Sequence, residues 1–177
     1  MAFNLITRSD IYYFLKELCA PKESCDYVWD INLDSLREQG YSVLFVDLDS
    51  TLLSYDQRFL SLKHLNWVQT CKEYGFKVVI LSNNRSRRRV KRVLEQIQCD
   101  GMYMACKPFT FGIHYLARLY NLDLSKSVVI GDQVFKDVVV GNWLKLYTVL
   151  VKPLDIKQSF LFRMQKELEY IILRTFC

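Results

Sequence analysis

The sequence predicts an α/β fold in three layers, a Rossmann-like sheet of about five parallel strands between helices. Two observations carry this prediction: short apolar runs recur along the chain, and segments with helical periodicity separate them. A run that is apolar at consecutive positions is typical of a strand covered on both faces. Strands separated by helices form right-handed parallel units. At 177 residues, the chain is most simply a single domain, residues 1–177.

Residues 1–40 are predicted to form a helical extension before the sheet. A first helix over residues 11–19 has one apolar face, formed by Ile11, Phe14, Leu15 and Leu18. We expect this helix to pack on the core, although its adjacent aromatic residues also suit a membrane surface. A second, short helix over residues 33–39 ends at Gly40, directly before the first predicted strand.

The first predicted strand, residues 41–46, ends in two carboxylates, Asp47 and Asp49. Alternate side chains of an extended chain share a face, so these carboxylates can point the same way and repel each other unless a cation neutralises them. Ser50 and Thr51 add hydroxyl groups that could bind an oxyanion. The alternative is an ordinary strand end, because Asp and Ser also form turns.

The rest of the chain alternates between predicted helices and strands. Helices are predicted over residues 61–74, 85–98 and 109–120, and strands over residues 76–81, 102–105, 127–130 and 145–151. The core of the domain therefore covers residues 41–151. Residues 152–177 are predicted to form a C-terminal extension with an amphipathic helix over residues 158–174. Its apolar side chains are Leu161, Met164, Leu168, Ile171 and Ile172.

Polar and charged side chains follow four of the predicted strands. Asp47 and Asp49 follow the first, Ser82 and Asn83 the second, Lys107 the third, and Asp132 and Asp137 the fourth. Ligands of parallel sheets bind at the carboxyl ends of the strands, so we expect these side chains to converge. Carboxylate oxygens suit Mg²⁺, and a lysine suits a phosphate oxygen as a point charge.

The order and spacing of these residues resemble the haloacid dehalogenase (HAD) superfamily of phosphohydrolases. D-x-D-x-T matches residues 47–51, the serine after the second strand is Ser82, the following lysine is Lys107, and G-D-x-x-x-x-D matches residues 131–137. The segments L-S-N-N, C-K-P and V-I-G-D-Q resemble the subclass IIIA branch known as YqeG-like, which includes phosphatidylglycerophosphate phosphatases. That branch usually has Asn where Ser50 stands and Thr where Lys136 stands. These departures bear on substrate preference and leave the chemistry intact.

The resemblance implies covalent catalysis. Asp47 would be the nucleophile that forms an aspartyl phosphate, and Asp49 would be the general acid and base. The resemblance also implies Mg²⁺, held by Asp47, the main-chain carbonyl of Asp49, Asp132, and Asp137 directly or through water. Ser82, Asn83 and Lys107 would bind the phosphoryl oxygens.

The segments between the motifs are too short for a cap domain, so the site is expected to be open. The favoured function is a magnesium-dependent phosphomonoesterase acting on a lipid head-group phosphate such as phosphatidylglycerophosphate. The basic run of residues 85–92 suits an anionic membrane surface, although a solvated helix face has the same composition. The alternative is a soluble phosphatase for a sugar phosphate, nucleotide or phosphoprotein, capped by a homo-oligomer. A non-catalytic scaffold is the second alternative, but no motif residue is missing.

The composition restricts the binding partners and the cellular compartment that we expect. The net charge of +5 and the pI near 8.8 are too mild to indicate nucleic acid. The glycine spacing around Gly131 does not fit a dinucleotide cofactor. Six cysteines without metal-like spacing predict reduced thiols, and no signal or membrane-spanning pattern is present. We therefore expect a cytoplasmic protein, with peripheral membrane association left open.

Overall fold

The computed structural model describes residues 7–155, so the helix predicted over residues 158–174 lies outside the described residues. The described residues form a six-stranded parallel sheet. Its strands are β1 (Glu23–Cys25), β2 (Val43–Val46), β3 (Lys77–Leu81), β4 (Asp100–Met102), β5 (Ser127–Gly131) and β6 (Tyr147–Val151). The predicted α/β fold class is confirmed.

The helices follow the predicted order. They are α1 (Arg8–Cys19), α2 (Leu33–Glu38), α3 (Leu62–Glu73), α4 (Arg87–Ile97), α5 (Phe111–Tyr120) and α6 (Val139–Trp143). Short 3₁₀ turns lie at Val28–Asp30 and Leu124–Lys126, and a π-helical turn at Val134–Val138 leads into α6. The helices predicted over residues 61–74, 85–98 and 109–120 are each confirmed to within two residues at either end.

The strand β2 lies inside the sheet, whose strand order is β1-β6-β5-β2-β3-β4. Val46, the last residue of β2, is aligned with Ile80 of β3 and with Ile130 of β5. The residues that follow these three strands therefore emerge side by side at the carboxyl edge of the sheet. This register brings together polar residues that are far apart in the chain.

Helices cover both faces of β2. Leu44 belongs to a buried cluster that includes Val68 of α3 and Val90 of α4. Phe45, its neighbour in the strand, belongs to the cluster that includes Ile113 of α5. Successive side chains of a strand point to opposite faces, so the consecutive apolar residues of β2 each find a buried environment.

The two edge strands depend most on tertiary pairing. β1 falls within the predicted helical extension of residues 1–40 and pairs with β6, from Glu23 opposite Val149 onwards. It has no apolar pattern, and it raises the number of strands from the predicted five to six. β4 begins at Asp100, two residues before the strand predicted over residues 102–105. Gly101 permits this pairing, because a Cβ there would lie 2.5 Å from the Ile80 carbonyl oxygen.

The C-terminal end of helix α1 contacts the core. Leu18 and Cys19 pack against Val134 and its neighbours. Phe14 and Leu15, predicted to lie on the inward face, are exposed, and so are the adjacent tyrosines. The expected packing on the core is therefore confirmed for the last turn, and the Ile11 side chain lies outside the described residues. Among residues 7–155, no helix has both the length and the apolarity needed to span a bilayer.

Candidate active site

Three carboxylates meet at the carboxyl edge of the sheet. Asp47 follows β2, Asp132 follows β5, and Asp137 lies on the π-helical turn beyond β5. Each offers a ligand oxygen within 4.8 Å of the others, and all three side chains are buried. The structure thus brings together three residues that the sequence predicted to lie around Mg²⁺.

Gly131 allows Asp137 to approach the other carboxylates. A Cβ at position 131 would lie 2.2 Å from Cγ of Asp137, which is closer than side chains pack. The backbone N–H of Gln133 donates to Oδ2 of Asp137 at 3.1 Å and fixes its orientation. The glycine of the G-D-x-x-x-x-D segment therefore makes room for the second aspartate of the same segment.

Lys107 neutralises part of this cluster. Its Nζ donates to Oδ1 of Asp47 and to Oδ1 of Asp137, both at 2.6 Å, and its side chain is 1% exposed. Burial opposes its charge, but Asp137 and Asp47 outweigh burial and raise the pKa of Lys107 above its ordinary value. Burial also raises the pKa of Asp47 to about 6, although Lys107 pulls that pKa down.

The largely buried charges of the site itself leave a negative surplus. When ionised, Asp47, Asp49, Asp132 and Asp137 carry four negative charges, and Lys107 and Arg89 supply two positive charges, which leaves two negative. Oδ2 of Asp47 is buried and has no hydrogen-bond partner among residues 7–155, so the protein leaves one carboxylate oxygen available as a ligand. The clustered carboxylates, the available oxygen and the surplus charge all fit Mg²⁺.

Asp49 lies in a different environment, two residues further along the chain. Nε of Arg89 donates to its Oδ1 at 2.9 Å, and Nδ2 of Asn84 donates to its Oδ2 at 2.9 Å. The Oγ of Ser82 lies 3.5 Å from the same Oδ2. Both oxygens of this carboxylate are therefore held by side chains of residues 82–89, apart from the acidic cluster.

Ser82 and Asn83, both predicted to bind phosphate, have different contacts. Oγ of Ser82 is in the site, where it faces Asp49 and accepts from the backbone N–H of Asn84 at 3.0 Å. Asn83 holds the backbone of Lys107: its Nδ2 donates to the carbonyl and its Oδ1 accepts from the N–H, both at 2.8 Å. The Asn83 side chain thus fixes the loop that carries Lys107, and its contact with phosphate stays a prediction.

Arg89 and Asn84 are site residues that the sequence analysis did not single out. Arg89 belongs to the basic run predicted to face an anionic surface or solvent, but its side chain is only 16% exposed. Its neighbours Arg87 and Arg88 are exposed, and residue type cannot separate the three. The sequence offers one signal that Arg89 is partly buried, which is its position on the helix. Arg89 precedes the buried Val93 by one turn and lies on the same face of α4.

Two loops that follow strands at this edge of the sheet, residues 54–59 and 103–109, carry exposed apolar side chains. We call them the apolar rim: Tyr55, Phe59, Tyr103, Met104 and Phe109. Both loops are tied to the site. The first binds Arg89 through the carbonyls of Ser54 and Gln57, and the second binds Asn84 through a backbone hydrogen bond. Exposed Arg85, Arg87 and Arg88 follow Asn84 in the chain.

Comparison with known protein families agrees with this geometry. Residues 44–107 match the family model described as haloacid dehalogenase-like hydrolase, and residues 104–153 match the one described as HAD-hydrolase-like. The chain is 33% identical to the probable phosphatase YqeG of Bacillus subtilis (strain 168) over 159 residues. That alignment covers 90% of this chain and 92% of the Bacillus protein.

Two solved structures share the fold. An uncharacterized protein from Listeria monocytogenes serotype 4b aligns with a TM-score of 0.54 and 16% identity, over 67% of this chain and 84% of that chain. A hypothetical protein from Xanthomonas campestris aligns with a TM-score of 0.51 and 14% identity, over 72% of each chain. At these identities the likeness concerns the fold alone.

Proposed function

Because the chain belongs to the haloacid dehalogenase-like hydrolases, in the branch of the probable phosphatase YqeG, we propose that this phosphatase uses Mg²⁺ and an aspartyl-phosphate intermediate to hydrolyse a lipid head-group phosphate. One observation carries the chemistry: Asp47, Asp132 and Asp137 cluster together, Lys107 binds the first and the last of them, and Asp49 is held separately by Arg89. The lipid assignment rests on the apolar rim and the exposed arginines of the α4 region.

The proposed reaction has two steps. In the first, a carboxylate oxygen of Asp47 attacks phosphorus, the bond from phosphorus to the alcohol oxygen breaks, and Asp49 gives its proton to that oxygen. In the second, Asp49 takes a proton from water while the water oxygen attacks the aspartyl phosphate, which releases inorganic phosphate and restores Asp47. Lys107 binds Oδ1 of Asp47, whereas Oδ2 has no hydrogen-bond partner among residues 7–155. This arrangement supports a role for Oδ2 as the nucleophile or as a metal ligand.

Lys107 would hold the phosphoryl group. An ammonium has three N–H donors, and the hydrogen bonds to Asp47 and Asp137 use two of them, so one donor remains for a phosphoryl oxygen. Ser82, whose Oγ lies in the site, would bind another phosphoryl oxygen. Charge on these oxygens spreads in the transition state, so fixed donors at this position stabilise it more than they stabilise the ground state.

Asp47, Asp132 and Asp137 would hold Mg²⁺, with Asp137 bound directly or through water, and the main-chain carbonyl of Asp49 is the further proposed ligand. Bound there, the cation would supply positive charge to the phosphoryl oxygens. Asp49 is suited to proton transfer because its carboxylate lies outside the acidic cluster and need not stay ionised to hold the cation. Arg89 and Asn84 fix its orientation. The two aspartates of the first motif can therefore serve as nucleophile and acid without exchanging roles.

The surface around the site supports a substrate presented by an anionic membrane. The apolar rim is exposed, with Phe109 at 73% and Phe59 at 59%, and the exposed arginines 85, 87 and 88 lie beside it. Aromatic side chains suit the interface of a bilayer, and each basic residue near an anionic surface contributes about 1 kcal/mol. Apolar and cationic groups on the edge that bears the site would orient it toward the lipid.

The path of the chain adds to this support. Oγ of Ser50 and the backbone N–H of Tyr55 both donate to Oδ2 of Asp155 at 3.0 Å. The last described residue is therefore attached to the loop that carries part of the apolar rim. The chain continues from this residue into the segment of residues 158–174, which the sequence predicts to be an amphipathic helix.

A soluble phosphatase capped by a second copy of the chain is the alternative, since an exposed apolar rim also suits a subunit contact. The two proposals differ in what activates the enzyme. A lipid phosphatase responds to the lipid surface, whereas an oligomer-capped enzyme responds to protein concentration. A non-catalytic scaffold has the least support, because each residue of the HAD motifs is present and the acidic residues and Lys107 converge.

The deciding experiment measures phosphate release from phosphatidylglycerophosphate in mixed micelles and from a panel of soluble phosphomonoesters. Each assay is run with Mg²⁺ and with EDTA, and the Asp47→Asn variant serves as the blank. Metal-dependent release that is fastest from the lipid, with at most slow release from the soluble esters, supports the proposal. Release from a soluble ester alone favours the oligomer-capped enzyme, and release from neither, in wild type and variant alike, contradicts the proposed chemistry.

Vesicle binding tests the surface separately from the chemistry. We expect Arg88→Gln to weaken binding to anionic vesicles about fivefold, and the combined change of arginines 85, 87 and 88 to weaken it about 100-fold, from about 1 kcal/mol per charge. Lys126→Gln is the matched control, because exposed Lys126 precedes β5 at the opposite edge of the sheet. Equal loss from Arg88→Gln and Lys126→Gln would mean that no particular face binds.

A further inference from the structure

We propose that Arg89 is a positioning residue that holds the Asp49 carboxylate in the orientation needed for proton transfer and ties that orientation to the loop of residues 54–57. The inference rests on the proposed function, because it takes Asp49 to be the general acid. Arg89 need not touch the substrate to act in this way. Its contribution would be to fix the direction in which Asp49 presents its proton.

The guanidinium of Arg89 spans two parts of the site. Its Nε donates to Oδ1 of Asp49 at 2.9 Å. On its other side, one terminal nitrogen donates to the carbonyl of Gln57 at 2.6 Å and lies 3.4 Å from that of Tyr55, and the other donates to the carbonyl of Ser54 at 2.8 Å. A planar fork with donors on several sides can make these contacts at once, whereas a lysine ammonium cannot reproduce that geometry.

The surroundings of Arg89 differ from those of an ordinary surface arginine. Its side chain is 16% exposed and that of Asp49 is 11% exposed, so both partners are largely withdrawn from water. Exposed salt bridges contribute little, because water and side-chain entropy offset them. A largely desolvated arginine that also satisfies main-chain carbonyls of a loop is fixed in place, and it can therefore fix its carboxylate partner.

The second oxygen of Asp49 completes the arrangement. Nδ2 of Asn84 donates to Oδ2 at 2.9 Å, so the two carboxylate oxygens are held from two different residues of the same segment. With both oxygens held, the plane of the carboxylate is set. A small misplacement of a catalytic group costs about 100-fold in rate, so loss of Arg89 should impair the step that depends on the direction of the Asp49 proton.

The choice of leaving group isolates that step. An alkyl phosphate such as glycerol phosphate must receive a proton as its alcohol departs, whereas p-nitrophenyl phosphate releases a stable phenolate without one. The value of kcat/KM reports the steps up to the first irreversible one, which is the attack by Asp47. We expect Arg89→Ala to lower kcat/KM for glycerol phosphate about 100-fold and for p-nitrophenyl phosphate less than about threefold.

Three comparisons accompany this measurement. Arg118→Gln removes an exposed arginine from α5 and should leave both values unchanged. Free guanidinium at millimolar concentration should restore part of the activity of Arg89→Ala toward glycerol phosphate. Arg89→Lys keeps the charge without the planar fork and should retain the selective loss; it also takes the place of Arg89→Ala if that variant unfolds at the assay temperature.

The outcomes separate this inference from the proposed function. A loss confined to the alkyl ester, with an unchanged dependence on Mg²⁺ concentration, supports positioning by Arg89. An equal loss on both esters would assign Arg89 a general structural role and overturn the inference, and so would the absence of loss on either. If the wild type releases phosphate from neither ester or lipid, the proposed function fails and the inference fails with it.

Discussion

The two aspartates of the first motif lie two residues apart but have opposite surroundings. Asp47 shares a buried cluster with Asp132, Asp137 and Lys107. Asp49 is held by Arg89 and by an asparagine of the same segment. We call these surroundings the metal side and the acid side, after the roles proposed for them. Two identical side chains thus have different partners because the backbone sends one toward the strand ends and the other toward α4.

The two sides are also built from different elements. The metal side is assembled from residues that directly follow β2 and β5, which the sheet register aligns, from a short turn after β5, and from Lys107, whose backbone Asn83 holds. The acid side is assembled from the segment after β3, the first turn of α4 and the loop of residues 54–57. The metal side should therefore be rigid and sensitive to packing, whereas the acid side should respond to changes in a loop.

Replacing Lys107 should have the largest effect on the metal side. Lys107→Met leaves Asp47 and Asp137 buried without their shared partner, so we expect a destabilisation of about 3–5 kcal/mol in EDTA. We also expect kcat to fall about 10²–10³-fold, since one electrostatic group of the transition state is lost. Thermal unfolding with and without Mg²⁺ checks the first effect, and added Mg²⁺ should recover part of the stability. If Lys107→Met were as stable as the wild type in EDTA, that result would contradict the described ion pairs.

A methyl group at position 131 should disrupt the metal side through a steric clash with Asp137. Gly131→Ala places a Cβ 2.2 Å from Cγ of Asp137, so Asp137 must shift, at a cost of about 1–3 kcal/mol. Affinity for Mg²⁺, measured by calorimetry, should fall at least about tenfold. Gly40→Ala is the control: Gly40 has φ +87° and nothing within 4 Å of an added Cβ, so it should lose stability without losing affinity for the metal.

The pKa of Asp47 predicts a pH-dependent gain in stability for Asp47→Asn. Burial raises this pKa from 3.8 to about 6, so the ionised carboxylate destabilises the metal-free fold above pH 6. In EDTA at pH 7.5, Asp47→Asn should be more stable than wild type by about 1–2 kcal/mol. Below pH 6 the wild-type group takes up its proton in the folded state, and the difference should shrink toward pH 4.

Urea unfolding over this pH range provides the measurement, and Mg²⁺ provides the control. A cation bound by the carboxylate stabilises the wild type more than the variant, so saturating Mg²⁺ should reverse the order of stability. A difference that does not change with pH would show that the effect of the substitution is not the removal of the buried charge.

The smallest effect is expected from loosening the acid side at the loop. Asp155→Ala removes the acceptor of Ser50 Oγ and of the Tyr55 N–H, at a cost of about 1 kcal/mol. We expect kcat/KM for alkyl esters to fall a few-fold, while affinity for Mg²⁺ stays the same. A loss of metal affinity would show that the two sides are coupled through this loop.

The sequence predicted most of the metal side, because its residues follow buried strands. Asp47, Lys107, Asp132 and Asp137 were each placed at a strand end, and the parallel sheet brings such ends together. The acid side was predicted only in part. Asp49 could be recognised from its spacing to Asp47, but its partners Arg89 and Asn84 resemble ordinary polar residues of a helix start.

The structure shows how a serine is accommodated at position 50, where the sequence departs from the family pattern. Its φ of 65° lies in the left-handed region, which asparagine adopts more readily than serine. The HAD branch that this chain resembles usually has asparagine there, and the backbone gives that preference a physical reason. In this chain the serine hydroxyl is engaged by Asp155, a contact 105 residues away in sequence that no local pattern predicts.

The sequence by itself determined the α/β fold, the succession of the central strands along the chain and the acidic ends of β2 and β5, because apolar runs and helical periodicity are local properties of the chain. Tertiary structure decided the rest. The polar strand β1 exists because β6 offers it a partner, and Gly131 is required because Asp137 folds back against it. Among several adjacent arginines, Arg89 alone meets Asp49 within residues 7–155, since a charged side chain takes its role from the partner that folding places within reach.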